Sequence, residues 1–168
     1  MFLGNLIKSV RDNFKKIPVE GISFDSRIIK KNYIFFAIKG HKTSGAKFIK
    51  EALDKGASVI FANKNTKYKN LKIPLILVKN VRKSLSEICS NFYFEKPKNI
   101  IAVTGTNGKS SVADFFYQLL SINKIPVASI GTLGIKFKNY NKKTSLTSID
   151  PISLHKNLKK IKENKINN

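Results

Sequence analysis

Ile100-Ile101-Ala102-Val103-Thr104-Gly105-Thr106-Asn107-Gly108-Lys109-Ser110-Ser111 is the stretch from which the rest of the chain can be read. Its apolar start predicts a buried strand. A glycine-bearing turn follows, and then Val112-Ala113-Asp114-Phe115-Phe116-Tyr117-Gln118-Leu119-Leu120, whose apolar residues recur at helical spacing. Gly105 and Gly108 permit backbone conformations that a side chain would obstruct, so successive N–H groups can turn inward around phosphate oxygens at the positive end of the helix. Lys109 adds a mobile positive charge for the β/γ-phosphates, and the Ser110 hydroxyl can join the shell of a magnesium ion. The generic phosphate loop has its first glycine where this chain has Val103, so the loop is a variant. Its plain alternative is an ordinary helix start capped by Ser or Thr.

The 168 residues can bury one full core, or one small domain and part of another. At 42% hydrophobic and 25% charged, the composition is that of a globular protein. No apolar run is long enough to span a bilayer, and Met1–Lys8 is too short for a signal peptide. The expectation is a soluble, cytosolic monomer with no membrane insertion. The single cysteine, Cys89, excludes an internal disulfide framework and, sitting among apolar helix positions, is expected to be a buried thiol. A net charge of +22 invites a nucleic-acid reading. The basic residues are nearly all lysine, however, and are dispersed without a tail or arginine stripe, while the aromatics fall at core-like spacing. A lysine-rich solvated surface that helps to gather an anionic substrate is therefore expected, with no nucleic-acid partner.

Upstream, Ile22-Ser23-Phe24 predicts a short strand ending at Asp25-Ser26-Arg27. Asn32–Ile38 predicts a second strand, buried on both faces, followed by the polar loop Lys39–Gly45. A helix over Ala46–Lys55 ends at Gly56; strands follow at Ser58–Ala62 and Leu75–Val78, then a helix from Val81 to about Phe94. Alternating strands and helices predict an α/β layered unit. Glu95-Lys96-Pro97-Lys98-Asn99 interrupts that pattern, which sets domains at 1–94 and 100–168 with a linker at 95–99.

Beyond the loop, Pro126–Ile130 predicts a strand, with Gly131-Thr132-Leu133-Gly134 as a turn at the carboxyl end where open parallel sheets bind ligands. Ile135–Phe137 is expected to pair with the region near Ser145-Leu146 across the Lys138–Lys143 turn. Asp150-Pro151 reads as an N-cap and first helical residue, with Leu154, Leu158 and Ile161 on the buried stripe. Only one further strand and helix follow the loop unit, so the second sheet is expected to be unfinished and the chain a fragment.

Thr104-Gly105-Thr106-Asn107-Gly108-Lys109-Ser110 resembles the nucleotide loop of the Mur ligases and of the related folylpolyglutamate synthetases. Asp25-Ser26-Arg27, Ile34–Gly40 and Phe48-Ile49 resemble the N-terminal UDP-binding domain of the Mur ligases, which the folate enzymes lack. Ile130–Gly134 and Leu146–Asp150 look most like the branch that adds the third peptide residue. The resemblance implies an α/β fold, a small UDP-binding domain followed by the start of a parallel-sheet ATP-binding domain. The cofactors it implies are ATP and Mg2+, and the substrates UDP-N-acetylmuramoyl-L-alanyl-D-glutamate and a diamino acid.

By the same resemblance, Gly105, Thr106, Asn107, Gly108, Lys109, Ser110 and Ser111 bind ATP, Lys109 is catalytic and Ser110 holds the metal. Ser26 meets the UDP pyrophosphate, Gly40, His41, Lys42 and Thr43 surround the uracil, and Thr147 and Ser148 contact the muramoyl-peptide end. The chain departs from the family pattern at Asn32, where glycine is usual, at Ser44–Lys47, and at Ile149, where proline is usual. The implied chemistry is amide formation through an acyl phosphate. A magnesium-binding glutamate, a modified lysine and a domain for the incoming amino acid are expected beyond Asn168. Two alternatives stay open: another loop-bearing ATP or GTP enzyme, such as the dipeptide-adding ligase or a folylpolyglutamate synthetase relative, and a basic nucleic-acid-binding module.

Overall fold

Apolar runs in the first half of the chain become strands because each meets a neighbour with free N–H and C=O groups. The computed structural model describes residues 1–40, 43–68, 72–143 and 149–168, which divide into two compact units, Met1–Phe92 and Tyr93–Asn168. The first unit contains α1 (Leu3–Leu6), β1 (Gly21–Ser23), β2 (Tyr33–Phe36), α2 (Ile49–Asp54), β3 (Ala57–Asn63), β4 (Leu75–Val78) and α3 (Val81–Phe92). Its strands lie in the order β1-β2-β3-β4, and every pairing is parallel. Parallel neighbours require crossovers, and α2 lies in the one between β2 and β3.

Phe35, Ala37, Ile60 and Ala62 pack with Ile49 and Ala52 of α2. Alternation along the strands turns Ile34, Phe36, Val59 and Phe61 to the opposite face, where the rings of Phe36 and Phe61 stack with centroids 4.6 Å apart. Leu6 of α1 and Ile88 of α3 line a groove with Phe61 on that face. This double-sided burial is what the near-continuous apolar run of β2 predicts. Cys89 is fully buried in α3, as its neighbours imply. Periodicity assigns no element before Ile17, yet Leu3 and Leu6 are buried there. Backbone bonds from Leu3 N–H to the Ile17 carbonyl and from Val19 N–H to the Met1 carbonyl (2.9 and 2.7 Å) fold this segment back on itself. Asn32 takes a left-handed φ of 63°, a conformation asparagine tolerates better than most side chains, which accounts for its standing where glycine is usual.

The second unit contains α4 (Lys109–Ile122), β5 (Ala128–Gly131), β6 (Gly134–Phe137), β7 (Tyr140–Lys142) and α5 (Pro151–Glu163). Here β5-β6-β7 form an antiparallel meander. Ile135 and Phe137 pack with Ile161 and Ile166, and Ile149 joins this core, so an apolar side chain is useful at that position. Asp150 caps α5 by accepting from the Ser153 N–H at 3.0 Å. On α5 the buried residues are Ile152, Leu158 and Ile161, with Leu154 only half-buried.

Two expectations for this unit are corrected. Ile100–Val103 forms no strand among the described residues; Ile100 and Ile101 are 54% and 67% exposed, because no described strand offers them a ladder partner. The hairpin from Ile135–Phe137 closes on Tyr140–Lys142 through a tight Lys138–Asn139 turn, instead of reaching Ser145-Leu146, which lie outside the described residues. Lys138 takes a left-handed φ of 47°, and a left-handed first turn residue suits the twist of paired strands. The helical spacing of α4 is as predicted, and Phe115, Leu119 and Ile122 on its apolar side are exposed.

Candidate functional site

Gly108 is the N-cap of α4 with φ 75°, and Gly105 precedes it with φ 152°. A Cβ on Gly108 would meet nothing within 4 Å, so glycine answers a demand for backbone conformation rather than for space. No side chain caps this helix, so the alternative of an ordinary Ser- or Thr-capped start is not what forms. The positive helix end and the loop Thr104–Gly108 open to a cleft of about 720 Å³. Thr106, Asn107, Ser110 and Ser111 line it, together with Ile130 and Thr132.

Lys109 folds back over the loop. Its ammonium donates to the carbonyl oxygens of Gly105 and, at 2.9 Å, Thr106. The hydroxyls of Ser110 and Thr132 are hydrogen-bonded at 2.8 Å. One helical turn on, Asp114 pairs with Lys136 of β6 at 3.0 Å and accepts from Gln118 at 2.6 Å. Hydrogen bonding from Lys136, then from Gln118, holds the Asp114 carboxyl below its ordinary range. Two polar links therefore join the first turns of α4 to the β5–β6 hairpin. Reading from sequence singles out the Gly131–Gly134 turn but misses Thr132 and the Asp114–Lys136 pair; the spacing of Ser110 and Asp114 on one helix face was the available signal.

Among the described residues, no three His, Cys, Asp or Glu side chains gather to hold a metal. Ser110 would offer a magnesium ion one protein hydroxyl, leaving its other ligands to phosphate oxygens and water, a set that this ion accepts readily. The exposed hydroxyl of Ser110, in the first turn of α4 beside a glycine-bearing loop, fits that demand.

In the first unit, Ser26 follows β1 and Gly40 and Thr43 follow β2, so they lie beyond the carboxyl ends of adjacent parallel strands. Ser26 is 5% exposed and donates its hydroxyl to Glu51 of α2 at 2.6 Å. Lys55 bonds Glu51 at 2.7 Å and also donates to the carbonyls of Ser26 and Arg27. Lys55, then Ser26, keeps the Glu51 carboxyl below its usual value. Asp25 accepts the Arg27 N–H at 3.0 Å and its guanidinium at 2.7 Å, so these two form a local ion pair. Gly40 N–H donates to the Thr43 carbonyl at 2.9 Å. His41, Lys42, Thr147 and Ser148 lie outside the described residues.

The profile for the Mur ligase family catalytic domain matches residues 18–93, and that for the Mur ligase middle domain matches residues 103–168. A UDP-N-acetylmuramoyl-L-alanyl-D-glutamate--2,6-diaminopimelate ligase of Rickettsia montanensis is 40% identical over 163 residues, which are 94% of this chain and 33% of the relative. The protein of the same name from Brucella melitensis biotype 1 is 37% identical over 141 residues, 84% of this chain and 29% of its own. The chain thus spans about a third of the length of the curated relatives it matches. A solved structure of a ligase of that name covers 99% of this chain and 34% of its own with a TM-score of 0.81 at 24% identity, a likeness of fold. The MurF ligase from Thermotoga maritima in complex with ADP covers 87% of this chain and 30% of its own, with a TM-score of 0.54 at 25% identity.

Proposed function

The chain belongs to the Mur ligase family, and from that premise we propose that it supplies the UDP-substrate domain and nucleotide loop of an ATP-dependent, amide-forming ligase. The acceptor is UDP-N-acetylmuramoyl-L-alanyl-D-glutamate, and the amino acid added is 2,6-diaminopimelate, in the cytoplasmic synthesis of the peptidoglycan precursor. The observation carrying this reading is that relatives bearing that name align through both units, at 40% identity over 94% of the chain.

In this assignment residues 1–94 bind the UDP end, 95–99 are the linker, and 100–168 belong to the ATP-binding domain. Ser26 faces the pyrophosphate, Gly40, His41, Lys42 and Thr43 the uracil, and Thr147 and Ser148 the muramoyl-peptide end. The N–H groups of Gly105–Ser111 surround the ATP phosphates. Lys109 leaves the carbonyls of Gly105 and Thr106 to face the β/γ-phosphates, and Ser110 holds magnesium. Magnesium held there would supply charge neutralisation at the phosphates. The loop and Lys109 add fixed positive potential and in-line positioning, the contributions phosphoryl transfer needs most from a protein.

Calorimetric titration of the chain with MgATP and, separately, with UDP-N-acetylmuramoyl-L-alanyl-D-glutamate tests the reading. Saturable binding of both is expected. Salt-dependent binding of random duplex DNA with no response to either ligand would return the +22 charge to a nucleic-acid role.

A further inference from the structure

We propose that Thr132 is a positioning residue for the Ser110 hydroxyl, holding it so that its lone pairs face the cation that accompanies the nucleotide; this rests on reading Gly105–Ser111 as the nucleotide loop. A serine hydroxyl carries one proton and two acceptor lone pairs, and it can turn freely about its C–O bond. A cation on that oxygen takes a lone pair and drives the proton away, so the bound state needs an acceptor on the far side. Thr132 Oγ1 stands 2.8 Å from Ser110 Oγ, a distance at which either hydroxyl can donate. With Ser110 donating, its lone pairs are left for the cation. With Thr132 donating, one of them is taken. Cation binding therefore selects the first arrangement, and Thr132 supplies the acceptor that makes it available without a search.

The placement of Thr132 is well supported for that task. It belongs to the two-residue turn between β5 and β6, whose strands are paired from Ala128↔Phe137 to Gly131↔Gly134. One helical turn beyond Ser110, the Asp114–Lys136 ion pair at 3.0 Å ties the same hairpin to the same helix. The turn is thus held to α4 at two successive levels, and the hydroxyl pair is the level that reaches the loop. Both hydroxyls line the cleft that the loop borders.

The test is the affinity of the full chain for ADP with excess magnesium and with EDTA, measured by calorimetry for the wild type, Thr132→Val, Thr132→Ser and Ser110→Ala. Valine keeps the shape and removes the hydroxyl. Thr132→Val should cut the gain from magnesium by about five- to tenfold, the effect of one ordinary hydrogen bond between neutral groups, and leave affinity in EDTA unchanged. Thr132→Ser should restore the gain. In Ser110→Ala the gain should be lost, and adding Thr132→Val should then have no further effect. A magnesium gain in Thr132→Val equal to that of the wild type overturns the proposal alone. An equal loss in EDTA also overturns it, because Thr132 would then support the loop instead of the hydroxyl. A wild-type chain that binds no ADP under either condition overturns the nucleotide reading and this proposal with it.

Discussion

Ser26 gives its buried hydroxyl proton to Glu51 across 2.6 Å, so the residue expected to meet a pyrophosphate already has an anionic partner. A phosphate oxygen at this point must take Glu51's place, and the two negative charges would repel one another. Glu51→Gln keeps an acceptor for Ser26 while removing the charge, and should tighten binding of the UDP-muramoyl-dipeptide by about two- to fivefold at low salt. Ser26→Ala should weaken it by roughly fivefold, the effect of one ordinary hydrogen bond. Calorimetry on both variants checks this, and unchanged affinity in each would mean that the pyrophosphate does not reach Ser26.

Lys109 lies across its own loop, on the carbonyls of Gly105 and Thr106, where it offsets their partial negative charge. It must exchange these neutral acceptors for phosphate oxygens, and charge-assisted bonds are the stronger. Lys109→Ala should weaken ATP binding by about ten- to a hundredfold, the range expected for one bond between charged groups. The melting temperature should stay close to that of the wild type, since the side chain caps no buried group. Equal ATP affinities for the two proteins would exclude Lys109 as a phosphate ligand.

Much of the first unit is legible in sequence because its runs are self-sufficient signals. Tyr33–Phe36 and Ala57–Asn63 are strand-length, apolar and rich in β-formers, and they pair in parallel with one register shift, between Tyr33 and Ile34. The nucleotide loop is equally legible, since Gly108 and Lys109 carry a local backbone and charge requirement. What could not be read is what depends on distant partners. Ile100–Val103 has the composition of a strand but pairs with no described neighbour, and Thr132 owes its place beside Ser110 to a hairpin closing on α4. The partners of Ser26 are similarly remote, because Glu51 and Lys55 reach it only once α2 has crossed over the sheet.

Acid should destabilise the fold through identifiable carboxylates. Asp25 is held below its ordinary value of 3.8 by Arg27, Glu51 below 4.5 by Lys55 and Ser26, and Asp114 below 3.8 by Lys136 and Gln118. Each is more acidic folded than unfolded, so its contribution is fully present above the ordinary value and is lost as pH falls through the lowered native one. The carboxylate contribution to the melting temperature should stay nearly level from pH 7 to about 5 and fall from about 4 downward. Burial lowers the His155 imidazole from its ordinary 6.5, so a separate loss of stability begins as pH falls through that value. All three carboxylates are solvent-accessible, so the individual effects are small and weaken with salt. The triple variant Asp25→Asn, Glu51→Gln, Asp114→Asn should start lower at pH 7 and show a shallower acid slope. An unchanged slope would assign acid sensitivity to the general repulsion of a +22 chain.

Phe35 and Phe115 are the same residue in opposite surroundings: Phe35 is 0% exposed within the core built on α2, and Phe115 is 68% exposed on α4. Truncating Phe35 removes transfer energy and leaves a cavity, so Phe35→Ala should cost about 3–5 kcal/mol. Phe115→Ala removes no buried contact and replaces an aromatic with the best helix former, so its effect should stay within about 0.5 kcal/mol. Urea unfolding followed by far-UV circular dichroism measures both, at two protein concentrations. A cost above about 2 kcal/mol for Phe115→Ala, growing with protein concentration, would show that α4 buries its apolar side against another copy in solution. A similar cost independent of concentration would show that Phe115 is packed within the chain, and that the exposed helix described here is not its resting state.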